Sequence, residues 1–319
     1  MDTLIVALKA ELPDARKRRR RYAVMSTVTL AAIAGAYYLG GPADVACTDR
    51  GGELRSIWSP EIASERFSGD DPSVQYLRSA LDDWADAWAA ERVEACAATH
   101  VRAEQTLETL EARTRCLDRA KFRFSQIIDI ASETEGVGDA IEALHELPAP
   151  SRCAEAAVRT DTAAPEHREA IEHAERLVDR ARTLRAVGRP EDAEPLLLAA
   201  VAVAERSGNT RLRAQAQVEL GRIMSARSQL VSAKWWLHNG YIDAERTDDR
   251  TTSFEASLAY AALLTHLYQT EAAELLLAQA EARVEEDGQR LLERVELEFV
   301  RARLAEAKGD ADGIARHAE

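Results

Sequence analysis

Three stretches of sequence decide the fold: ARTLRAVGRPEDAEPLLLAA at 181–200, GRIMSARSQLVSAKWWLHNG at 221–240 and AALLTHLYQTEAAELLLAQA at 261–280. They begin forty residues apart and align without a gap. Small residues recur at the first, thirteenth and last positions, and large apolar residues at the fourth, sixteenth and seventeenth. A fixed period of this length predicts stacked helix-turn-helix units, with small residues where two helices cross closely.

The period extends beyond these stretches. Polar loops recur in phase as ERSGNTR from Glu205, ERTDDRT from Glu245 and EEDGQRL from Glu285. A fourth copy begins with Leu297 and Leu304, and the sequence stops inside its second helix. We therefore expect residues 165–319 to form a helical-repeat region whose last copy is incomplete.

The small-residue pattern resembles the tetratricopeptide repeat. The small, large, small, large and small positions of that motif fall on Ala181, Leu184, Ala193, Leu197 and Ala200, and on their equivalents in the next two copies. Two features depart from the motif. Its usual period is about 34 residues, and its position-four aromatic is replaced by Leu177, Gln217 and Ser257. The resemblance implies an α-solenoid.

The composition favours an all-α fold. The 319 residues are 46% hydrophobic but only 5% aromatic, with 15 Gly and 9 Pro, which excludes collagen-like, low-complexity and disordered chains. Alanine, leucine, glutamate and arginine dominate, and such a mixture favours helices over sheets. A formal net charge of −14 argues against nucleic-acid binding, because counterion release rewards basic surfaces.

An uncharged stretch follows a basic N-terminus. Residues 1–21 carry seven Lys and Arg against three Asp and Glu, and residues 22–43 carry no charge. As a helix, the uncharged stretch spans the hydrocarbon core of a bilayer. The alternatives are a buried core helix and a cleaved signal peptide. Signal-peptide cleavage needs small residues before the cleaved bond, and Asp44 before Cys47 does not meet this requirement. Basic flanks stay cytoplasmic, so we expect a single-pass protein of the inner (plasma) membrane with an extracytoplasmic C-terminal part.

Four cysteines follow the predicted span. Cys47, Cys96, Cys116 and Cys153 form an even set confined to one segment, which predicts two disulfides in an exported domain. Free buried cysteines are the alternative, and a zinc site is weaker because no C-x-x-C spacing occurs. Three pairings are available. If 71–98 and 105–132 are antiparallel helices, Cys116 is better placed for Cys153, which leaves Cys47 for Cys96.

The region between the predicted span and the repeats divides in two. Residues 44–69 carry turn signals and predict an irregular tether. Residues 70–160 predict a cysteine-containing helical bundle, in which Gly136 and Gly138 stop the second helix and a short helix follows. Trp84 and Trp88, four residues apart, predict core positions.

A second resemblance covers more of the chain. The basic run and the predicted membrane helix are followed by A-C-A-A at 95–98, E-Q-T at 104–106, R-C-L at 115–117 and L-P-A-P-S-R-C at 147–153, and then by the repeats. This order resembles the non-catalytic C-terminal half of the transmembrane serine/threonine kinases of myxobacteria. The opening MDTLIVALK is similar to the last helix of their kinase domain. The resemblance implies a sensory fragment whose kinase domain lies upstream.

Catalytic patterns are absent from the sequence. It contains no Gly-rich phosphate loop, H-R-D, D-F-G, H-E-x-x-H or G-x-S-x-G, and its seven histidines are scattered. We therefore predict no catalytic residue, cofactor or metal site in this chain.

The resemblance to tetratricopeptide repeats places a peptide groove along the first helix of each unit. The groove candidates that it implies are Arg182, Arg185, Val218, Arg222 and Leu258. Guanidinium groups bind carboxylates bidentately, so an acidic peptide or a C-terminal carboxylate is an expected ligand. The alternative is that these arginines pair with glutamates on their own helices.

Together these features predict a membrane-anchored, extracytoplasmic interaction or sensor module that binds a protein or peptide. One alternative is the sensory part of a receptor serine/threonine kinase, and another is a soluble helical-repeat scaffold with reduced thiols. A homodimer is compatible with the sequence, because Gly35 and nearby alanines permit close contact between membrane helices.

Overall fold

A computed structural model describes residues 47, 49–67, 71–132, 136–155, 165–247, 249–285 and 291–318. The regular elements in these ranges are all helical, which confirms the all-α prediction. The predicted basic stub at 1–21, which includes the MDTLIVALK stretch, and the predicted membrane helix at 22–43 lie outside them. None of the helices in the ranges given combines the length and the apolar character needed to cross a bilayer.

Four α-helices and two 3-10 helices form the first group of elements. They are a 3-10 helix at Asp49–Leu54, α1 (Pro60–Arg66), α2 (Pro72–His100), α3 (Leu107–Ala131), α4 (Gly136–His145) and a 3-10 helix at Pro150–Glu155. Side-chain caps fix the two long helices. The Asp71 carboxylate accepts from Ser73 N before α2, and the Thr106 hydroxyl accepts from Thr109 N before α3.

The core of this group is built around tryptophans. Trp88 is fully buried and its indole N–H donates to the Leu117 carbonyl at 2.8 Å. Trp84 stacks on Phe124 with ring centroids 4.5 Å apart and donates to the Pro148 carbonyl at 3.1 Å. The prediction that both tryptophans are core residues is confirmed, and each indole keeps a hydrogen-bond partner.

The described part of 44–69 differs from the predicted irregular tether. Leu54, Trp58 and Phe67 are buried in the core of the first group. Ser59 and Pro60 do not form a loop turn, because the Ser59 hydroxyl caps α1 and Pro60 occupies its first turn. The segment is therefore part of the folded domain. The prediction of a turn at Ser59 and Pro60 was wrong, because serine followed by proline is also a common start of a helix.

The two glycines predicted to stop the second helix instead lie in α4. A Cβ placed on Gly136 would lie 2.0 Å from the Ile130 carbonyl oxygen, so only glycine lets the chain pass this close to the end of α3. Gly138 has open space around it.

The second group contains eight α-helices and a short 3-10 turn at Pro165–His167. They are α5 (Arg168–Ala186), α6 (Pro190–Ser207), α7 (Thr210–Ala226), α8 (Leu230–Arg246), α9 (Arg250–His266), α10 (Thr270–Glu285), α11 (Leu291–Lys308) and α12 (Ala311–Ala318). The bounds of α7 and α9 are forty residues apart, and α8 and α10 begin forty residues apart. Each helix packs on its neighbours in sequence, and α7 also contacts α5 and α9.

Residues at the small positions of the repeat are buried between paired helices. The alanines at these positions, Ala181, Ala193, Ala200, Ala233, Ala261, Ala273 and Ala280, have no exposed surface. In the middle pair, α7 and α8, two glycines occupy these positions and the helices cross closely. A Cβ on Gly221 would lie 2.4 Å from Leu237 Cγ, and one on Gly240 would lie 2.8 Å from Val218 Cγ2.

The two groups pack against each other. Helix α3 contacts α5, and Val187, just after α5, belongs to the hydrophobic core of the first group. This contact brings charged residues of α3 beside the helices predicted to carry the peptide groove.

Candidate functional site

All four cysteines are paired. Cys47 is bonded to Cys96 in α2, and Cys116 in α3 is bonded to Cys153, with Cα–Cα distances of 5.6 and 5.5 Å. The preferred pairing of the sequence analysis is confirmed. The bonds fix the two ends of the first group to its long helices.

An ion pair with a buried carboxylate joins the two groups of helices. Arg119 of α3 donates from Nε and a terminal nitrogen to the two carboxylate oxygens of Asp179 in α5, at 2.7 and 2.8 Å. Asp179 is 2% exposed. Burial alone would raise the pKa of Asp179, but the guanidinium of Arg119 more than offsets this and holds the pKa below its usual value. The carboxylate therefore stays charged and bonded.

Glu219 of α7 is the buried centre of a second charged cluster. It accepts from Arg182 Nε at 3.0 Å, from Arg185 Nε at 3.1 Å and from an Arg222 terminal nitrogen at 3.4 Å. Burial acts to raise the pKa of Glu219, yet the three guanidinium groups around it hold that pKa far below its usual value. The carboxylate of Glu219 thus binds all three arginines of the predicted groove.

Two of these arginines reach further carboxylates. Arg182 also donates to Glu255 of α9 at 3.3 Å. Arg185 binds both carboxylate oxygens of Glu146, beyond α4, at 3.1 and 2.6 Å. The cluster therefore links α5, α7 and α9 to the first group of helices.

The predicted groove is occupied by internal partners. The own-helix alternative holds for Arg222, which is three residues from Glu219, whereas Arg182 and Arg185 pair with other helices. Val218 and Leu258 are buried in the hydrophobic cores and do not lie at the surface. An acidic ligand at this place would have to displace Glu219, and binding there stays a prediction.

Arg123 differs from its neighbours in the network. It is buried on α3, one turn after Arg119, and donates from a terminal nitrogen to the Glu146 carbonyl at 3.0 Å. Its Nε has no hydrogen-bond partner. Burial, assisted by repulsion from Arg182, lowers the pKa of Arg123 to about 10. The buried charge of Arg123 is therefore bonded to a carbonyl and not to a carboxylate.

An apolar groove lies between α8 and α9, away from the charged cluster. Its volume is about 510 Å³, and the residues that line it are Leu230, Val231, Lys234, Trp235, His238, Tyr260 and Leu267. Val231 is 88% exposed and Trp235 is 56% exposed. The neighbouring turn and helix add Tyr268 at 79% and Leu275 at 63%. Exposed apolar side chains gathered in this way are typical of binding surfaces.

The polar groups of this groove carry no negative charge. Lys234 Nζ donates to the neutral amide oxygen of Gln269 at 2.8 Å. The His238 ring packs edge-on against Tyr260, with centroids 6.0 Å apart. Burial raises the pKa of Tyr260, so its hydroxyl stays neutral at physiological pH. The groove is apolar with a cationic side, in a chain that is acidic overall.

The repeat pattern in the sequence does not predict this groove, because the recurring small and apolar positions mark buried residues. Trp236 lies in that register and packs partly against the core, while Trp235 lies at the outward position occupied by Pro195 and Leu275 in the adjacent units. A tryptophan at an outward position of a repeat was the available signal.

The motifs that carry the kinase-associated resemblance have structural roles here. Gln105 bonds the Ala95 carbonyl and the Arg113 side chain, Thr106 caps α3, and Cys116 and Cys153 form a disulfide. These contacts hold the first group of helices together, so the residues of the motifs stabilise its fold.

In the described ranges no three His, Cys, Asp or Glu side chains are grouped so that they could hold a metal ion. No protein-family model, curated protein or solved structure matches this chain.

Proposed function

We propose that this chain is a membrane-anchored, extracytoplasmic interaction module whose helical repeats bind a protein or peptide. The observation that carries the binding role is the exposed apolar surface of α8 and its neighbours. Val231 and Trp235 contribute little to folding from positions this exposed, whereas burial against a partner would remove apolar area from water.

The two disulfides support the extracytoplasmic location. Disulfides persist in oxidising compartments and are rare in the cytosol. Cys47 lies four positions after the predicted span and is bonded to Cys96, so the proposed anchor would join the folded domain directly.

The location is tested by fractionating membranes that contain the full chain with an epitope at each end. We expect the chain to resist alkaline extraction, and we expect protease added to the extracytoplasmic side to remove the C-terminal epitope only. Release into the soluble fraction, or both epitopes on one side, would rule out the anchored topology.

The binding role is tested by recovering partners with the full chain as bait. We expect Trp235→Ala to lose a partner that the wild-type chain retains, and Leu198→Ala, which changes another exposed leucine of the repeats, to retain it. Equal recovery by the two variants would contradict this surface. Charge reversal of Arg182 or Arg222 is unsuitable as a test, because it would replace one of the three partners of the buried Glu219 with a like charge.

A second candidate function is the sensory part of a receptor serine/threonine kinase. Its support is the order of the motifs at 95–98, 104–106, 115–117 and 147–153, which include the cap of α3 and three of the disulfide cysteines. Genomic sequence in frame before Met1 that encodes the H-R-D and D-F-G motifs would support it, and a stop codon directly upstream would contradict it.

A further inference from the structure

We propose that the groove between α8 and α9 binds a bulky apolar side chain followed by a carboxylate, as at the C-terminus of a peptide that ends in phenylalanine or leucine. The inference rests on the proposed binding role and adds the ligand class. It is independent of the arginine cluster around Glu219.

The size of the groove suits one or two side chains. Ligand pockets typically measure about 300–1,000 Å³, and this groove measures about 510 Å³. It is open to solvent along its length, since Val231 and Trp235 on its wall are largely exposed. An open groove admits a side chain from a passing or terminating peptide, but it would leave most of a long acyl chain in water.

The wall of the groove is held in place before any ligand arrives. Trp235 meets Trp236 edge to face, with ring centroids 4.5 Å apart at 83°. Trp236 packs in turn against the hydrophobic core that α8 shares with α7. Aromatic side chains fixed in this way cost little conformational entropy when a ligand binds.

The charge of the groove selects an anion. Lys234 and His238 are four residues apart on α8, on the stripe that also carries Val231 and Trp235. Lys234 is bonded to a neutral amide, whereas Arg182 and Arg185 of the inner cluster are each bonded to carboxylates. The lining contains no Asp or Glu. A ligand carboxylate would supply the missing counter-charge.

Apolar contact and charge are therefore adjacent in the groove. A nucleic acid fits poorly, because the chain carries a formal charge of −14. An apolar side chain next to a carboxylate occurs at a peptide terminus and also where an internal aspartate lies beside an aromatic residue. Peptides with and without a free terminal carboxylate distinguish these two sources.

The test measures fluorescence anisotropy of labelled octapeptides with the full chain in zwitterionic lipid nanodiscs. Three peptides share an apolar sequence that ends in phenylalanine: one has a free terminal carboxylate, one is amidated, and one is amidated with an aspartate before the phenylalanine. We expect the free acid to bind about ten-fold more tightly than the amide. Tighter binding by the aspartate peptide alone would place the carboxylate on an internal residue and would overturn the assignment to a peptide terminus.

Variants assign the binding to the groove. We expect Trp235→Ala to weaken every peptide by at least about ten-fold. Lys234→Met removes the charge, keeps an unbranched apolar stem and should abolish the difference between acid and amide while the amide binds as before. The matched controls are Leu198→Ala and Arg66→Gln, which alter an exposed leucine and an exposed cation elsewhere and should change nothing.

Equal affinity for acid and amide, no binding of any peptide to the wild-type chain, or binding unaffected by Trp235→Ala would overturn the proposal. Its failure is distinct from failure of the proposed function. A chain that inserts in membranes and retains a partner but ignores these peptides loses only the ligand class, and a chain that binds the peptides without a membrane loses only the anchor.

Discussion

Asp179 is kept charged mainly by Arg119, with smaller contributions from Arg182 and Arg123. Its carboxylate is buried between α3 and α5, and Arg119 bonds both of its oxygens. A buried ion pair adds little net stability, because both groups lose water, but removing one partner leaves the other uncompensated. The loss of Arg119 should therefore cost far more than the pair itself contributes.

We expect Arg119→Met to lower the free energy of unfolding by about 3–5 kcal/mol, because it strands a buried carboxylate. Arg123→Met, one turn along the same helix, should change it by less than about 1 kcal/mol, because Arg123 bonds only a carbonyl. Urea unfolding followed by tryptophan fluorescence measures both, since Trp84 and Trp88 lie in the adjoining core. Similar losses for the two variants would show that the contact with Asp179 is not special.

Pairs of helices in the repeats differ in how closely they cross. Gly221 and Gly240 occupy positions that are alanine in the units on either side. In the middle unit, a Cβ on Gly221 would lie 3.0 Å from the Leu237 backbone nitrogen as well as close to its side chain. The α7–α8 pair therefore has no room for the methyl group that the neighbouring pairs accommodate.

We expect Gly221→Ala to destabilise the protein by about 1–2 kcal/mol, because overpacking outweighs the gain in helix propensity. Gly138→Ala is the matched control. Nothing lies within 4 Å of its added Cβ, so it should be neutral or stabilise by up to about 1 kcal/mol. Thermal unfolding midpoints compare the two, and an equally tolerated Gly221→Ala would mean that α7 and α8 can separate freely.

The predictable elements are those with strong local signals. The sequence placed the two long helices at 71–98 and 105–132, and they run over Pro72–His100 and Leu107–Ala131, because their apolar spacing and caps agree. The burial of the segment around Trp58 could not be predicted, because short helices held by tertiary contacts have no apolar periodicity of their own. The pairing of Arg182 and Arg185 with other helices was missed for the same reason, since only the stacking of helices brings those carboxylates near.

The state of the four cysteines tests the whole arrangement. We expect full-length protein made in an exporting host to show no thiol that reacts under denaturing, non-reducing conditions, and peptide mapping to recover Cys47 with Cys96 and Cys116 with Cys153. Closed loops of this size contribute about 4 kcal/mol each in the chain-entropy model. Four reactive thiols would favour the soluble scaffold with reduced cysteines.

The bond between Cys47 and Cys96 has a consequence for how the molecule meets other proteins. Residues 44–46 alone separate Cys47 from the proposed span, and even fully extended they reach only about 14 Å. With the span that we propose in the bilayer, a domain joined to it by so short a linker would diffuse in the plane of the membrane and would not reach far beyond it. Partners embedded nearby would gain a high effective concentration, whereas partners held far from the bilayer would have to come to it.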